Sequence, residues 1–201
     1  MEISAALVKQ LRDRTGAPMM HCKTALVEAK GDIAQAEILL RQKGLASARQ
    51  KAARVTKEGA IGAYIHAGGK IGVLVEIDCE SDFVARTPEF QQLLHDIAMH
   101  IAAADPRYLD RESVPEEVRE RERSIYRAQI EGQNKPPAVA EKIIAGRLEK
   151  FYEEICLLDQ HFIKDDKLTV RELVAGKVAQ FGENVTLRRF TRFKVGDNSA
   201  A

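Results

Sequence analysis

Ile71-Gly72-Val73-Leu74-Val75-Glu76-Ile77-Asp78-Cys79-Glu80-Ser81-Asp82-Phe83-Val84-Ala85 reads as a strand that runs into the start of a helix. Ile71, Val73, Val75, Ile77 and Cys79 alternate with Gly72, Leu74, Glu76, Asp78 and Glu80, the period-2 pattern of a half-buried strand. Downstream, Thr87 can cap a helix with Pro88 at its first position. Between the two elements an acid and a large aromatic, Asp82 and Phe83, stand side by side. Two readings of Phe83 are open: it packs back into its own core, as most Phe side chains do, or it is held out to a partner. The acids Glu76, Asp78, Glu80 and Asp82 fall at even spacing, which places them on the solvent face of a strand rather than in a metal or acid/base cluster.

Working outward, Ala60 to His66 and Ile71 to Cys79 flank Ala67-Gly68-Gly69-Lys70 and predict a β-hairpin. Pro88 to Ala104 carries Phe90, Leu93, Leu94, Ile97, Ala98 and Ile101 at helical spacing, the stripe of a helix packed on a sheet. His95 and His100 flank that stripe five residues apart, on different faces, and are expected as surface or edge residues rather than a metal pair. Glu116 to Glu131 is charged nearly all round, with Val118, Ile125 and Ile130 as sparse apolar points, whereas Ala140 to Ile155 has a clearer stripe in Ile143, Ile144, Leu148, Phe151 and Ile155. Pro136-Pro137 turns the chain between them, so residues 115–155 are expected to project as an antiparallel helical arm. Thr169-Val170-Arg171-Glu172 forms a capping box for a helix stopped by Gly182, and Val185 to Val195 reads as a last strand. Residues 197–201 are expected to be a disordered tail.

Upstream, residues 1–44 read as three short helices. Ser4 caps the first, with Leu7, Val8 and Leu11 buried; Pro18 opens the second, with Cys22, Ala25, Leu26 and Ala29 on one face; Asp32 caps the third, with Ile33, Ala36, Leu39 and Leu40 buried and Gly44 as its terminator. Residues 45–57 carry Arg49, Lys51, Arg54 and Lys57 with few large apolar groups and are expected to be a solvated linker helix. The fold expected is α+β: an N-terminal three-helix module, a linker helix, then an α+β core over 58–196 in which helices pack a small antiparallel sheet and the helical arm protrudes.

The 201 residues balance 31 Lys and Arg against 30 Asp and Glu, a net charge of +1, which argues against a protein whose main task is to hold a nucleic-acid backbone. Cys22, Cys79 and Cys156 lie far apart with no C-x-x-C pair and are expected as reduced thiols. No apolar run approaches the length of a membrane span, so a cytoplasmic location is expected. No phosphate loop, nucleophile elbow, zinc cluster or catalytic triad emerges, so the chain reads as a binding protein rather than an enzyme, with no metal and no cofactor expected.

Two motifs then become specific. The stretch from Leu7 to Leu26, containing Arg12-Asp13-Arg14-Thr15-Gly16-Ala17-Pro18-Met19-Met20-His21-Cys22, closely resembles the opening of the elongation factor Ts family, as does Glu28-Ala29-Lys30-Gly31-Asp32. Ser81-Asp82-Phe83-Val84-Ala85 resembles that family's Thr-Asp-Phe-Val-Ala signature, and Tyr64-Ile65-His66, His100-Ile101-Ala102-Ala103 and Val185-Thr186-Leu187-Arg188-Arg189-Phe190 add further matches. Pro18 stands where the family more often has Gly, His21 where it often has Asp, and Ser81 where it has Thr. Ser81 keeps a capping hydroxyl and Pro18 suits a first helical turn.

The resemblance implies a guanine-nucleotide exchange factor that binds elongation factor Tu, in its GDP-bound and nucleotide-free forms, and promotes GDP release. It casts Phe83 as an apolar wedge near the partner's Mg²⁺ site, with Asp82 making polar contacts beside it and Ser81 and Val84 supporting the turn. It makes Arg12, Met19 and Met20 the candidates for a second contact, although one of the methionines could equally close the small three-helix core. His66 is a weaker candidate. Because the family has a longer form with two related core subdomains and this chain has one, a homodimer is expected. Two rivals remain: an adaptor protein built on a module similar to ubiquitin-associated domains, and an RNA-binding protein using Arg49, Lys51, Arg54 and Lys57 with Arg188-Arg189-Phe190-Thr191-Arg192-Phe193.

Overall fold

The alternation in Ile71–Cys79 (β2) does what a period of two requires. Val73, Val75, Ile77 and Cys79 are buried on one face, while Leu74 on the other is exposed. In a computed structural model, which describes residues 3–131 and 136–197, this strand is the centre of a three-stranded antiparallel sheet. Glu58–Ile65 (β1) pairs along one edge and Val185–Lys194 (β5) along the other. Pro88–Ala104 (α5) covers the inner face and buries Phe90, Leu93, Leu94, Ile97, Ala98 and Ile101, the whole of the expected stripe. Thr87 caps it by accepting from the Phe90 N–H at 3.2 Å, and Asp105 ends it in the left-handed region.

Among the described residues the chain is α+β, with eight α-helices. Ala5–Thr15 (α1), Met19–Glu28 (α2) and Ile33–Lys51 (α3) precede the sheet, Asp82–Ala85 (α4) follows β2, and Glu116–Glu131 (α6) and Pro137–Ile155 (α7) follow α5. A 3-10 turn at Leu157–Asp159 leads to a small hairpin of His161–Phe162 (β3) and Asp165–Thr169 (β4), and Val170–Phe181 (α8) returns to β5. The capping box forms as read: the Thr169 hydroxyl accepts from the Glu172 N–H while the Glu172 carboxylate accepts from the Thr169 N–H, and Gly182 stops the helix at φ 76°.

Three helix and strand details depart from expectation. α3 does not stop at Gly44 but runs to Lys51, and residues 52–57 are not helical. Gly44 is buried inside α3 against α8, the Ala175 carbonyl oxygen standing 3.7 Å from where a Cβ would be, so it lies at a helix–helix contact and not at a turn. Arg41 ties α3 to β4 and the start of α8, donating to the Lys167 carbonyl at 3.0 Å and lying 3.9 Å from Glu172. Second, the β2–β5 register slips between Glu76 and Ile77, which pair with Arg189 and Leu187. The residue left over is Arg188, and this bulge sends Leu187 and Phe190 inward but Phe193 outward. Third, His161–Phe162 and Asp165–Thr169 pair as a short hairpin for which the sequence offers no alternating apolar run.

α6 and α7 meet through Ile130, Ile144 and Leu148, with Tyr126, Ala140 and Ile143 around them. Val114, Ile155 and Cys156 form a further cluster with Tyr108, Val118, Phe151 and Tyr152. Of the sparse apolar points expected on α6, Ile125 is exposed. Asp197 is exposed, and the rest of the expected tail, residues 198–201, lies outside the described residues.

His100, expected at a surface or edge, is fully buried. The Ile163 N–H donates to its Nδ1 at 3.3 Å, so Nε2 carries the ring proton and donates to Gln160 Oε1 at 3.0 Å. Gln160 in turn donates to the Glu154 carbonyl at 2.7 Å and to Ala104 at 3.4 Å. Burial lowers the His100 pKa below its ordinary 6.5. Below that value the unfolded chain takes up a proton that the folded chain refuses, so the contribution is intact above pH 6.5 and is lost as pH falls toward the folded pKa. The melting temperature is therefore expected to fall between about pH 7 and pH 5, and less so in His100→Gln. An equal slope in the variant would assign the acid sensitivity to other groups.

Candidate functional site

A helix of four residues cannot stand alone, because nucleating a helical turn costs more than its one or two hydrogen bonds return. α4 is held from both ends by the core. Ser81 caps it with extended backbone, its Oγ 3.5 Å from the Val84 N–H. At the other end the Thr87 hydroxyl donates to the Val84 carbonyl at 2.8 Å and the Gln91 side chain donates to the Ala85 carbonyl at 2.8 Å. Ala85 is buried and Val84 is half-buried against the sheet core. At about 100° of turn per residue, Phe83 lies about 200° from Ala85, on the opposite side of the turn. Its ring is 80% exposed. The reading in which Phe83 packs into its own core is thereby excluded.

Asp82, beside it, pairs with Arg86 at 2.8 Å across one helical turn; both side chains reach solvent, so the pair adds little stability. On the outer face of β2, Glu76 pairs with Arg189, and Glu80 lies 3.5 Å from Arg54 while accepting the Asn184 N–H at 2.6 Å. Burial and then the neighbouring Glu76 raise the Asp78 carboxyl. The acidic row is thus a charged strand face answered by cations. Among the described residues no three His, Cys, Asp or Glu side chains gather as a metal-binding group.

The α1–α3 unit has its own small core of Val8, Leu11, Cys22, Ala25, Leu26, Ala29 and Ala36. Met19 and Met20, at the first turn of α2, stay out of it at 45% and 68% exposure. Neither closes the core, because Cys22, Ala25 and Leu26 already fill it. Arg12, near the end of α1, is exposed as well.

The family described as Elongation factor TS matches residues 45–197 of the chain. Over 98% of its length the chain is 60% identical to elongation factor Ts of Solibacter usitatus (strain Ellin6076), covering 92% of that protein. It is similar to elongation factor Ts of Koribacter versatilis (strain Ellin345) at 59% identity, over 98% of this chain and 90% of the relative. The corresponding protein of Carboxydothermus hydrogenoformans is 57% identical over 98% of this chain and 91% of its own length. The chain belongs to the elongation factor Ts family. Its role is that of a translation elongation factor.

On this chain, Ser81, Asp82, Phe83 and Val84 come together on one turn, while Arg12, Met19 and Met20 sit on a different set of helices. His66 lies at the far end of the hairpin from α4, since Cys79 pairs with Glu58 and Gly72 with Ile65; its Nδ1 is 3.1 Å from the Tyr64 hydroxyl. The cations of the RNA-binding alternative do not form one stripe. Arg192 is engaged by Asp105 at 3.0 Å and by the Ala102 carbonyl, Arg189 by Glu76 and Arg54 by Glu80, while Phe190 and Phe193, three residues apart on one strand, face opposite sides of the sheet. Sequence reading missed Glu183, which grips Ser81, because nothing local connects a residue after a helix stop to one 102 positions earlier. Among the described residues no helix is long and apolar enough to cross a membrane.

Proposed function

We propose that the chain is the guanine-nucleotide exchange factor of elongation factor Tu and that Asp82 and Phe83 disturb the partner's Mg²⁺ and phosphate site. The exposed phenyl of Phe83 on a turn fastened at both ends supports this reading above all else. A P-loop GTPase holds its nucleotide through backbone amides, a lysine and Mg²⁺, so an apolar wedge that shifts those elements loosens the whole nucleotide. No covalent bond is made or broken. The factor binds the nucleotide-free partner best, and linkage requires that GTP binding weaken its grip by the same ratio, which completes the cycle. On this reading the factor needs no cofactor, works in the cytoplasm, and binds no nucleic acid directly. Residues 1–44 act as a ubiquitin-associated-like unit whose Arg12, Met19 and Met20 form a second contact, and the α6–α7 pair serves as a projecting spacer or handle. His66 has a subordinate place. The test is release of a fluorescent GDP from elongation factor Tu under excess unlabelled GDP: strong acceleration supports the proposal, and none by the folded chain overturns it.

We also propose a homodimer. Ile61, Ile65, Leu74 and Phe193 are exposed together on the sheet face turned away from α5, and a second copy laid against that face buries all four. Cys79 points to the inner face, and burial followed by the Glu183 carboxylate pushes its thiol up to about 11, so it supplies no cross-link. Sedimentation is expected to give a dimer at micromolar concentration and a monomer for Leu74→Glu. A wild-type monomer that is fully active overturns the dimer.

A further inference from the structure

We propose that Glu183 is a positioning residue for Phe83, acting through Ser81. This rests on the reading of Phe83 as the wedge. Glu183 lies in the turn between α8 and β5, on an element that the exchange motif does not include. Its carboxylate takes both donors of Ser81: the hydroxyl donates to Oε1 at 2.6 Å and the backbone N–H donates to Oε2 at 3.0 Å. The next residue completes the grip. The Asn184 N–H donates to Glu80 Oε1 at 2.6 Å, and its side-chain amide donates to the Arg54 carbonyl at 2.9 Å. Two consecutive residues thus hold two consecutive residues, Glu80 and Ser81, at the end of β2.

The placement matters because Ser81 is the cap of a single turn. An ordinary capping hydroxyl only accepts; here its proton is committed to a carboxylate, which fixes the hydroxyl with its lone pairs toward the Val84 N–H. Charge-assisted bonds of this kind are the stronger class of hydrogen bond, and both close on the one residue that sets where α4 begins. Thr87 and Gln91 hold the carboxyl end of the turn, so without Glu183 the turn is hinged there and its start keeps only the Asn184 hold on the preceding Glu80 and its own backbone. Phe83 is the third residue from Ser81 in that turn, counting Ser81 itself, and has no packing of its own to keep it in place. Its direction is therefore set by the cap, and the cap by Glu183. A wedge whose ring samples several directions reaches the exchange-competent one for a smaller fraction of encounters.

The experiment is stopped-flow release of fluorescent GDP from elongation factor Tu, using the full chain and the variants Glu183→Ala, Glu183→Gln, Phe83→Ala and the pair Glu183→Ala/Phe83→Ala. Glu183→Ala is expected to slow exchange about tenfold, the scale of losing hydrogen bonds to a charged group. Glu183→Gln recovers most of the rate, since its amide can accept the Ser81 N–H on Oε1 and donate to Oγ through Nε2. In the Phe83→Ala background the Glu183 effect vanishes, because there is no ring left to direct. Thr169→Ala, which removes a cap from α8, serves as the control for a purely structural loss: at a temperature where it and Glu183→Ala are both folded, it leaves exchange unchanged. If Glu183→Ala does not fold, Ser81→Ala and its pair with Phe83→Ala carry the same comparison. Normal exchange in Glu183→Ala or Ser81→Ala alongside slow exchange in Phe83→Ala overturns the positioning role and spares the wedge. Full additivity with Phe83→Ala also overturns it, assigning Glu183 a contact of its own. Normal exchange in Phe83→Ala removes the wedge itself.

Discussion

Phe83→Ala is expected to slow stimulated GDP release by one to three decades while leaving the chain folded and its melting temperature nearly unchanged. The two halves of that expectation have separate causes. The ring is 80% exposed, so its removal takes almost no packing from the core. A buried aromatic anchor at an interface carries roughly 2 to 4 kcal/mol, which is the whole of that kinetic range if it is spent on displacing the nucleotide. Phe83→Leu keeps part of the apolar volume and should fall between wild type and Phe83→Ala. A well-folded Phe83→Ala with undiminished exchange would remove the wedge and leave the partner contact to the α1–α3 unit.

Gly59→Ala is expected to have the largest effect on stability. Gly59, the second residue of β1, stands opposite Asp78 at φ 151°, a backbone conformation that side chains with a Cβ rarely adopt. A Cβ there would sit on the Ile77 carbonyl oxygen and 2.7 Å from the Asp78 Cα, both backbone atoms of the central strand. Neither can move without opening the β1–β2 ladder. The cost is about 3 kcal/mol, or roughly 6 to 12 °C in melting temperature for a chain of this size. Gly146→Ala runs the other way: it lies inside α7, where a Cβ would meet nothing within 4 Å, so the gain in helix propensity shows as a slight rise. Calorimetry on the two variants separates them, and a Gly59→Ala melting temperature equal to wild type would show that the ladder yields.

Much of the fold was legible because its signals are local. The α5 stripe, the hairpin around Gly68-Gly69 and the Thr169 capping box each announce themselves within one period of their own element. What escaped depends on residues far away in sequence. Gly44 resembles a helix stop until α8 is laid beside it, and His100 resembles an edge residue until Gln160 and the Ile163 N–H reach it. The bulge at Arg188 reverses which side Phe193 faces, and a strict alternation cannot carry that information. At the candidate site, the residue types left Phe83 open between core and surface. Only the placement of Ala85 and Val84 on the other side of the turn decides it.

Under the proposed two-site contact, the unbroken α3 governs how a partner would be gripped. Its 19 residues span about 28 Å, beginning among the three N-terminal helices and ending against α8. If Met19-Met20 and Phe83 both contact a partner, as proposed above, the packing of α3 on α8 sets their spacing, like the two jaws of a caliper set to one opening. For a partner whose surfaces match that opening, the second contact closes at high effective concentration and with little ordering entropy left to lose. A partner conformer that alters the distance between its two surfaces must give up one jaw, and so the same stiffness that strengthens the grip also makes it selective for shape.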